Sequence, residues 1–281
     1  MGSDMNDSAA VSEHYEIPSL KERIGQALRQ AGYGDGQVDW KALAPLDQFH
    51  VRGLASTQEL STALDVKPGA TILDVGCGVG GASRFLAATY DAHVTGIDLT
   101  PSFVEAATML SDRAGLADRT TFRVANALDL PFKDASFDYA WTQHVAMNIR
   151  DRTRLYAEIF RVLKPGGALA IHDVVQGKDE PLTFPLPWAA TSEMSFLLSA
   201  DGMRDALVKS GFEVVSWEDT TEPTKEWIAQ LKATRDAASA PFPLGLHVVT
   251  GRDFATAIAD LGRDLNEGRL RLIQTIVKRA T

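Results

Sequence analysis

"TILDVGCGVGGASR", residues 71–84, is a β-rich pentapeptide that runs into glycines at 76, 78, 80 and 81 and then into the helix-patterned "GASRFLAATY" (81–90). A strand, a Gly-rich turn and a helix in that order let a ligand approach the backbone at the carboxyl end of a parallel sheet. Gly76, Gly78 and Gly81 fit the dinucleotide pattern G-x-G-x-x-G, while Gly76, Gly78 and Gly80 fit the tighter G-x-G-x-G. Glycines at this density weaken any regular element, so a turn is the natural reading. Taken alone, the loop leaves open whether its ligand carries a pyrophosphate.

Outward from this loop, short β-rich runs alternate with helix-patterned ones, which predicts a parallel sheet with helices on both faces. The expected strands are 71–75, 93–98, 120–125, 137–142 and 167–175, with two later ones at 212–219 and 271–279. Between the second and third strands, Thr100 is a candidate cap and Pro101 suits the first helical position. Phe103, Ala106, Ala107 and Leu110 share one face there, and Gly115 ends the helix. Two amphipathic helices are expected near 223–238 and 251–266, and an irregular segment rich in Pro and aromatics, including "PLTFPLPWAA", near 176–200. Residues 1–66 read as a helical N-terminal extension whose first residues are set aside. Residues 67–281 read as the sheet domain, with insertions at about 176–200 and 220–268 that would roof a small-molecule pocket.

The 281 residues are 45% hydrophobic and 23% charged, with a formal net charge of −9. That charge offers no attraction to nucleic acid or to an anionic membrane, so the expected partner is a small molecule. No apolar run approaches the ~20 residues of a membrane span, and the N-terminus lacks a signal layout. The single cysteine, Cys77, cannot form an internal disulfide, and a reducing cytoplasm is the simplest setting. Cys77 itself reads as a small packing residue. The oligomeric state, a homodimer included, is not readable.

Asp98 ends the second strand, 22 residues after Gly76, where a carboxylate can take two ribose hydroxyls. Dinucleotide enzymes and S-adenosylmethionine enzymes share that feature. Asp74 separates them: a carboxylate two residues before the first glycine would repel a pyrophosphate but suits an ammonium group. The run "ANALDLPFKDASFD" (125–138) and the Pro-Gly-Gly turn in "RVLKPGGALAIHDV" (161–174) point the same way.

With "LDVGCGVGG", "VTGIDLTPSFVEAA", "LPFKDASFD" and "LKPGG" in place, the chain resembles class I S-adenosylmethionine-dependent methyltransferases. "LDQFHVRGLASTQEL", "WTQHVAMNI" and "LGLHVVTGRDF" are similar to the branch containing sarcosine/dimethylglycine N-methyltransferases. The resemblance implies an α/β, Rossmann-like, seven-stranded, mostly parallel sheet that binds S-adenosylmethionine and releases S-adenosylhomocysteine. By the same resemblance, Asp74, Gly76 and Gly78 take the methionine side of the cofactor. Asp98 takes the ribose, Leu99, Asn126 and Ala127 the adenine, and Gln143 the methionine end or the substrate. The family usually has Asp where Asn126 stands.

Methyl transfer from a sulfonium needs alignment more than acid–base help. His144 and His50 are the candidate bases, His144 favoured by its place after the fourth strand, with His172 and Asp173 weaker. Arg52 is a candidate grip for a carboxylate. Trp188, Phe184 and Phe196 are candidate walls for a developing cation. Tyr15 and Tyr33 are weaker candidates for closing over the cofactor, and Trp217 reads as packing. No metal-ligand spacing is visible, so metal-independent transfer is expected. N-methylation of a small molecule leads, followed by C- or O-methylation of a quinone or specialised metabolite, a non-catalytic cofactor binder, and a dehydrogenase.

Overall fold

In the computed structural model, which describes residues 2–237, 243–250 and 254–280, the chain builds one seven-stranded sheet in the order β3-β2-β1-β4-β5-β7-β6. Its strands are β1 (Thr71–Val75), β2 (His93–Asp98), β3 (Thr120–Val124), β4 (Phe137–Gln143), β5 (Leu163–Gln176), β6 (Phe212–Asp219) and β7 (Leu270–Arg279). Pairings from β3 through β5 are parallel, and β7 runs antiparallel between β5 and β6. The central strands are apolar on both faces because helices cover both. Ile72, Leu73, Val75, Ala140 and Trp141 are all closed to solvent.

On one face pack α5 (Gly81–Tyr90) and α4 (Gly53–Leu64), with Leu60, Ile72, Phe85, Leu86 and Trp141 in one core cluster. On the other lie α7 (Arg152–Val162) and α8 (Ala200–Lys209), whose Leu155, Ile159, Met203 and Leu207 meet Leu169 and Ile171. Asp151 caps α7 by accepting from the Arg154 N–H, and Ser199 caps α8 by accepting from the Gly202 N–H. Helix α8 was not anticipated. Helix α6 (Pro101–Arg113) begins with proline in its first turn, but Thr100 makes no side-chain cap. Asp98 Oδ1 instead accepts from the Thr100 N–H at 2.9 Å and so holds the turn that leads into the helix. Gly115, at φ 68°, follows the end of α6 as expected.

Four helices precede the sheet: α1 (Gly2–Tyr15), α2 (Leu20–Gln30), α3 (Trp40–Asp47) and α4. Thus α1 includes residues that the sequence reading set aside. Leu20, Ile24 and Leu28 of α2 join Leu43 and Leu46 of α3 and Phe103 and Leu110 of α6 in one cluster, so the extension is part of the core. Later in the chain come α9 (Thr221–Ala237) and α10 (Phe254–Asn266). Residue 238 of one expected helix, and residues 251–253 of the other, lie outside the described residues. No described helix is long and apolar enough to cross a membrane.

Candidate active site

A cavity opens at the carboxyl ends of β1, β2 and β4, the edge where the strand order reverses from β1 to β4. Asp74, Gly76, Gly78, Asp98, Leu99, Asn126, Ala127, Gln143, His144, His50 and Trp188 all line it. Residues separated by more than a hundred positions in sequence therefore converge on one cavity.

The glycine loop is shaped by close approaches. Gly76 has φ 71°, and a Cβ there would sit 2.4 Å from Val145 Cγ2, so this position requires glycine. At Gly78, φ is 52° and a Cβ would meet nothing within 4 Å, because it would enter open space. The Gly78 N–H donates to Asp98 Oδ2 at 2.9 Å. Asp98 thereby ties the loop to the start of α6.

Two carboxylates lie at this end, Asp74 buried and Asp98 half-buried. Burial pushes Asp74 up to about 7, offset in part by the Ser83 hydroxyl that donates to its Oδ2 at 2.6 Å. Burial also raises Asp98, against the backbone N–H bonds it accepts. Buried acids in a cleft call for a cationic partner. S-adenosylmethionine carries a sulfonium and an ammonium, so the donor set and the open space at Gly78 fit it.

Asn126 Oδ1 accepts from the Leu128 N–H at 2.9 Å, while its Nδ2 faces Ser8 Oγ at 3.4 Å. The amide group is thus its available donor. Gln143 Oε1 accepts from Trp141 Nε1 at 2.9 Å and from Thr57 Oγ1 at 3.2 Å, leaving a buried Nε2 without a partner among the described residues.

At the far end of the cavity the rings of His50, His144 and His172 gather, with centroids 5.1–6.3 Å apart. Burial lowers His50 to about 4 and His144 to about 3, and it holds His172 well below the usual histidine value. All three are neutral imidazoles near pH 7. His144 adopts a left-handed backbone, φ 55°, a conformation that concentrates at functional sites. Its backbone N–H donates to the His172 carbonyl, and its buried Nε2 has no partner among the described residues. His172 is closed to solvent, does not line the cavity, and among the described residues has no partner on either ring nitrogen. Asp173, raised to about 6 by burial, accepts from the Ala146 and Val174 N–H groups and so braces the loop after β4.

Three expected substrate residues lie elsewhere. Arg52 forms a two-pronged pair with Glu59, its Nη1 and Nη2 at 2.7 and 2.5 Å, and does not line the cavity. Phe184 packs against the cluster around Leu186 and Leu265. Phe196 lies under the Arg150 guanidinium at 4.1 Å. Trp188 does line the cavity, almost wholly buried, with Nε1 donating to Ser195 Oγ at 3.0 Å. Tyr15 is also at the wall, donating to Asn148 Oδ1 at 3.1 Å, whereas Tyr33 is exposed and Trp217 stacks under Arg204.

Sequence reasoning missed Phe49, Met147, Trp227, Phe254, Ile258 and Leu261, which complete the apolar wall. Trp227, Ile258 and Leu261 come from α9 and α10, whose amphipathic pattern was visible although its facing was not. Helix α1 closes another side, with Ser12 Oγ donating to the Leu99 carbonyl and Arg150 Nε donating to Asp7. Among the described residues, no group of three or more His, Cys, Asp or Glu side chains is arranged to hold a metal ion.

Comparison with known proteins agrees with this geometry. A methyltransferase-domain family profile matches residues 73–171. The O-methyltransferase cnsE of Penicillium expansum is 36% identical over 204 residues, covering 73% of this chain and 71% of that protein. A structure from Galdieria sulphuraria named for sarcosine dimethylglycine methyltransfer aligns with TM-score 0.66 at 20% identity, over 81% of this chain and 86% of that one. Geranyl diphosphate C-methyltransferase from Streptomyces coelicolor aligns with TM-score 0.70 at 20% identity, over 98% of each chain. At that identity the two structures speak for the fold alone, and the sarcosine branch is one neighbour among several. The chain belongs to the class I S-adenosylmethionine-dependent methyltransferases.

Proposed function

We propose that this enzyme methylates a hydroxyl oxygen on a largely apolar small molecule. The observation that carries the reading is the acceptor end of the cavity, where Trp188, Trp227, Phe254, Ile258 and Leu261 form an apolar wall. The grip expected for an amino-acid carboxylate, Arg52, is engaged by Glu59, and Arg150, which lines the cavity, is paired with Asp7. An N-methylated amino acid would leave its own carboxylate unpaired against this wall, a costly burial.

In this reading S-adenosylmethionine supplies a methyl group on a good leaving group. Asp74 pairs with its ammonium, Asp98 accepts from its ribose hydroxyls, and the glycine loop lies against its backbone. Leu99 and Ala127 flank the adenine, with the Asn126 amide donating to a ring nitrogen. Gln143, whose Nε2 is otherwise unpartnered, donates at the methionine end. His144 receives the proton. A weak base suffices there, because a hydroxyl oxygen that has gained a methyl group is strongly acidic. Trp188 walls the acceptor, and His50 orients it. The extension 1–66 and the segments 176–200 and 220–268 serve as the roof of domain 67–281. The −9 net charge and lone cysteine support a small-molecule partner and a cytoplasmic setting.

The test is S-adenosylhomocysteine release with a phenol, a prenylated hydroquinone, glycine, sarcosine and dimethylglycine supplied separately. Turnover confined to the hydroxylated apolar compounds is expected. Turnover of sarcosine with none of the phenols would reverse the assignment.

A further inference from the structure

From the glycine loop to the acceptor wall runs an unbroken chain of buried polar contacts that the roles above leave unused. Arg84, fully buried on α5, donates from Nη2 to the Val79 carbonyl inside the loop at 2.6 Å and to Asp47 Oδ2 at 2.9 Å. Its Nη1 donates to the Ala107 carbonyl and Ser111 Oγ on α6, both at 3.2 Å. Asp47 ends α3, and a Cβ on Gly81 would fall 2.2 Å from its carbonyl oxygen, so α3 sits directly on the start of α5. The other Asp47 oxygen, Oδ1, accepts from Gln48 Nε2 at 3.4 Å. Gln48 Oε1 faces Thr57 Oγ1 at 2.8 Å and His50 Nε2 at 3.2 Å. Thr57 also reaches Gln143 Oε1.

The chemistry of each group dictates the next. A carboxylate only accepts, so Gln48 must turn its NH2 toward Asp47. Its carbonyl oxygen then faces His50 Nε2, which must carry the proton to make that bond. His50 Nδ1 is left as a lone pair for the Ser56 hydroxyl at 3.1 Å, which then turns its proton from the Val51 and Gly53 carbonyls at 3.1 and 3.0 Å. The opposite tautomer would let Nδ1–H donate to the Val51 carbonyl at 3.3 Å and Nε2 accept from the Thr57 hydroxyl at 3.1 Å, but would set the Nε2 lone pair against the Gln48 oxygen at 3.2 Å. Flipping Gln48 to relieve that repulsion would turn its carbonyl oxygen toward the Asp47 carboxylate, where two acceptors would face each other.

We infer that Gln48 is a positioning residue that couples the ion pair beneath the glycine loop to the acceptor wall, by holding His50 as the Nε2–H imidazole. The purpose assigned to the coupling rests on the methyltransfer reading, whereas the tautomer does not. His50 in this state has both nitrogens engaged and orients its surroundings. The proton-accepting role is left to His144.

The experiment uses the full chain with 15N-labelled histidine imidazoles, recorded by long-range 1H–15N correlation with and without S-adenosylhomocysteine. The His50 signals are assigned by their loss in His50→Asn. The wild type is expected to show the Nε2–H pattern at His50. In Gln48→Met that pattern should give way to a tautomer mixture. S-adenosylhomocysteine affinity should stay within about threefold while kcat falls about tenfold or more, as for a displaced active-site group. Should Gln48→Met fail to fold, Gln48→Glu retains an acceptor for Nε2–H but repels Asp47. It should keep the His50 pattern and lose cofactor affinity. An Nδ1–H pattern in the wild type, or an unchanged Nε2–H pattern in Gln48→Met, overturns the inference. Because the spectra need no acceptor, this result and the oxygen-acceptor reading fail separately.

Discussion

Paired with the cofactor's ammonium as proposed, Asp74 makes binding a function of pH. Its carboxyl sits at about 7 in the empty protein because burial disfavours the charge, with Asp98 adding to the effect. Only the ionised form pairs with an ammonium, so below pH 7 binding must first expel a proton. For one such group the affinity falls by 1 + 10^(7 − pH), which is about tenfold between pH 8 and pH 6, or about 1.4 kcal/mol. The sign for the free protein is opposite. A carboxyl raised above its unfolded value costs the empty fold stability as pH climbs from about 4 to 7. Titration calorimetry with S-adenosylmethionine and S-adenosylhomocysteine at pH 6, 7 and 8 reads the first effect, and Asp74→Asn isolates it. Asp74→Asn should bind more weakly at pH 8 and show a flattened pH dependence. A wild-type affinity that is level from pH 6 to pH 8 would refute the assignment of Asp74 to the ammonium.

Other outcomes follow from the same geometry. Arg52→Ala breaks only a pair with Glu59, whose side chain is 48% exposed, so stability should change by about 0–1 kcal/mol and turnover of a phenolic acceptor should persist. Loss of that turnover would return Arg52 to the site. His144→Ala removes the proton acceptor and should lower kcat about 10²- to 10⁴-fold with little change in cofactor affinity, checked by steady-state kinetics beside calorimetry. Asp47→Ala strands a guanidinium that is closed to solvent, so urea unfolding should show a loss of about 3–5 kcal/mol. Arg84→Met with Asp47→Leu should recover part of it.

The cofactor half of the site was legible because its signals are local. The strands 71–75, 93–98 and 212–219 coincide with β1, β2 and β6, and "GASRFLAATY" with α5. There a two-residue period meets glycine turns and proline starts. The acceptor half was not legible, because what faces a cavity depends on how helices dock rather than on their own pattern. Phe184 and Phe196 have the same composition signal as Trp188, yet only Trp188 turns into the chamber. Arg52 was read as a substrate grip because nothing local reveals that Glu59, two helical turns on, meets it. The Arg84–Asp47 pair was missed for the same reason: its partners lie 37 residues apart, on separate helices.

The sheet order has a consequence for how such a molecule can change over generations. The donor end is written almost entirely between residues 74 and 143, in one contiguous stretch around β1, β2 and β4. The acceptor wall is assembled from Phe49, Met147, Trp188, Trp227 and, on α10, Phe254 and Leu261, five separate segments in all. A substitution in any one of these segments can redraw the acceptor's outline while the donor end is inherited intact. Because the two ends are written in different parts of the chain, one can change without the other.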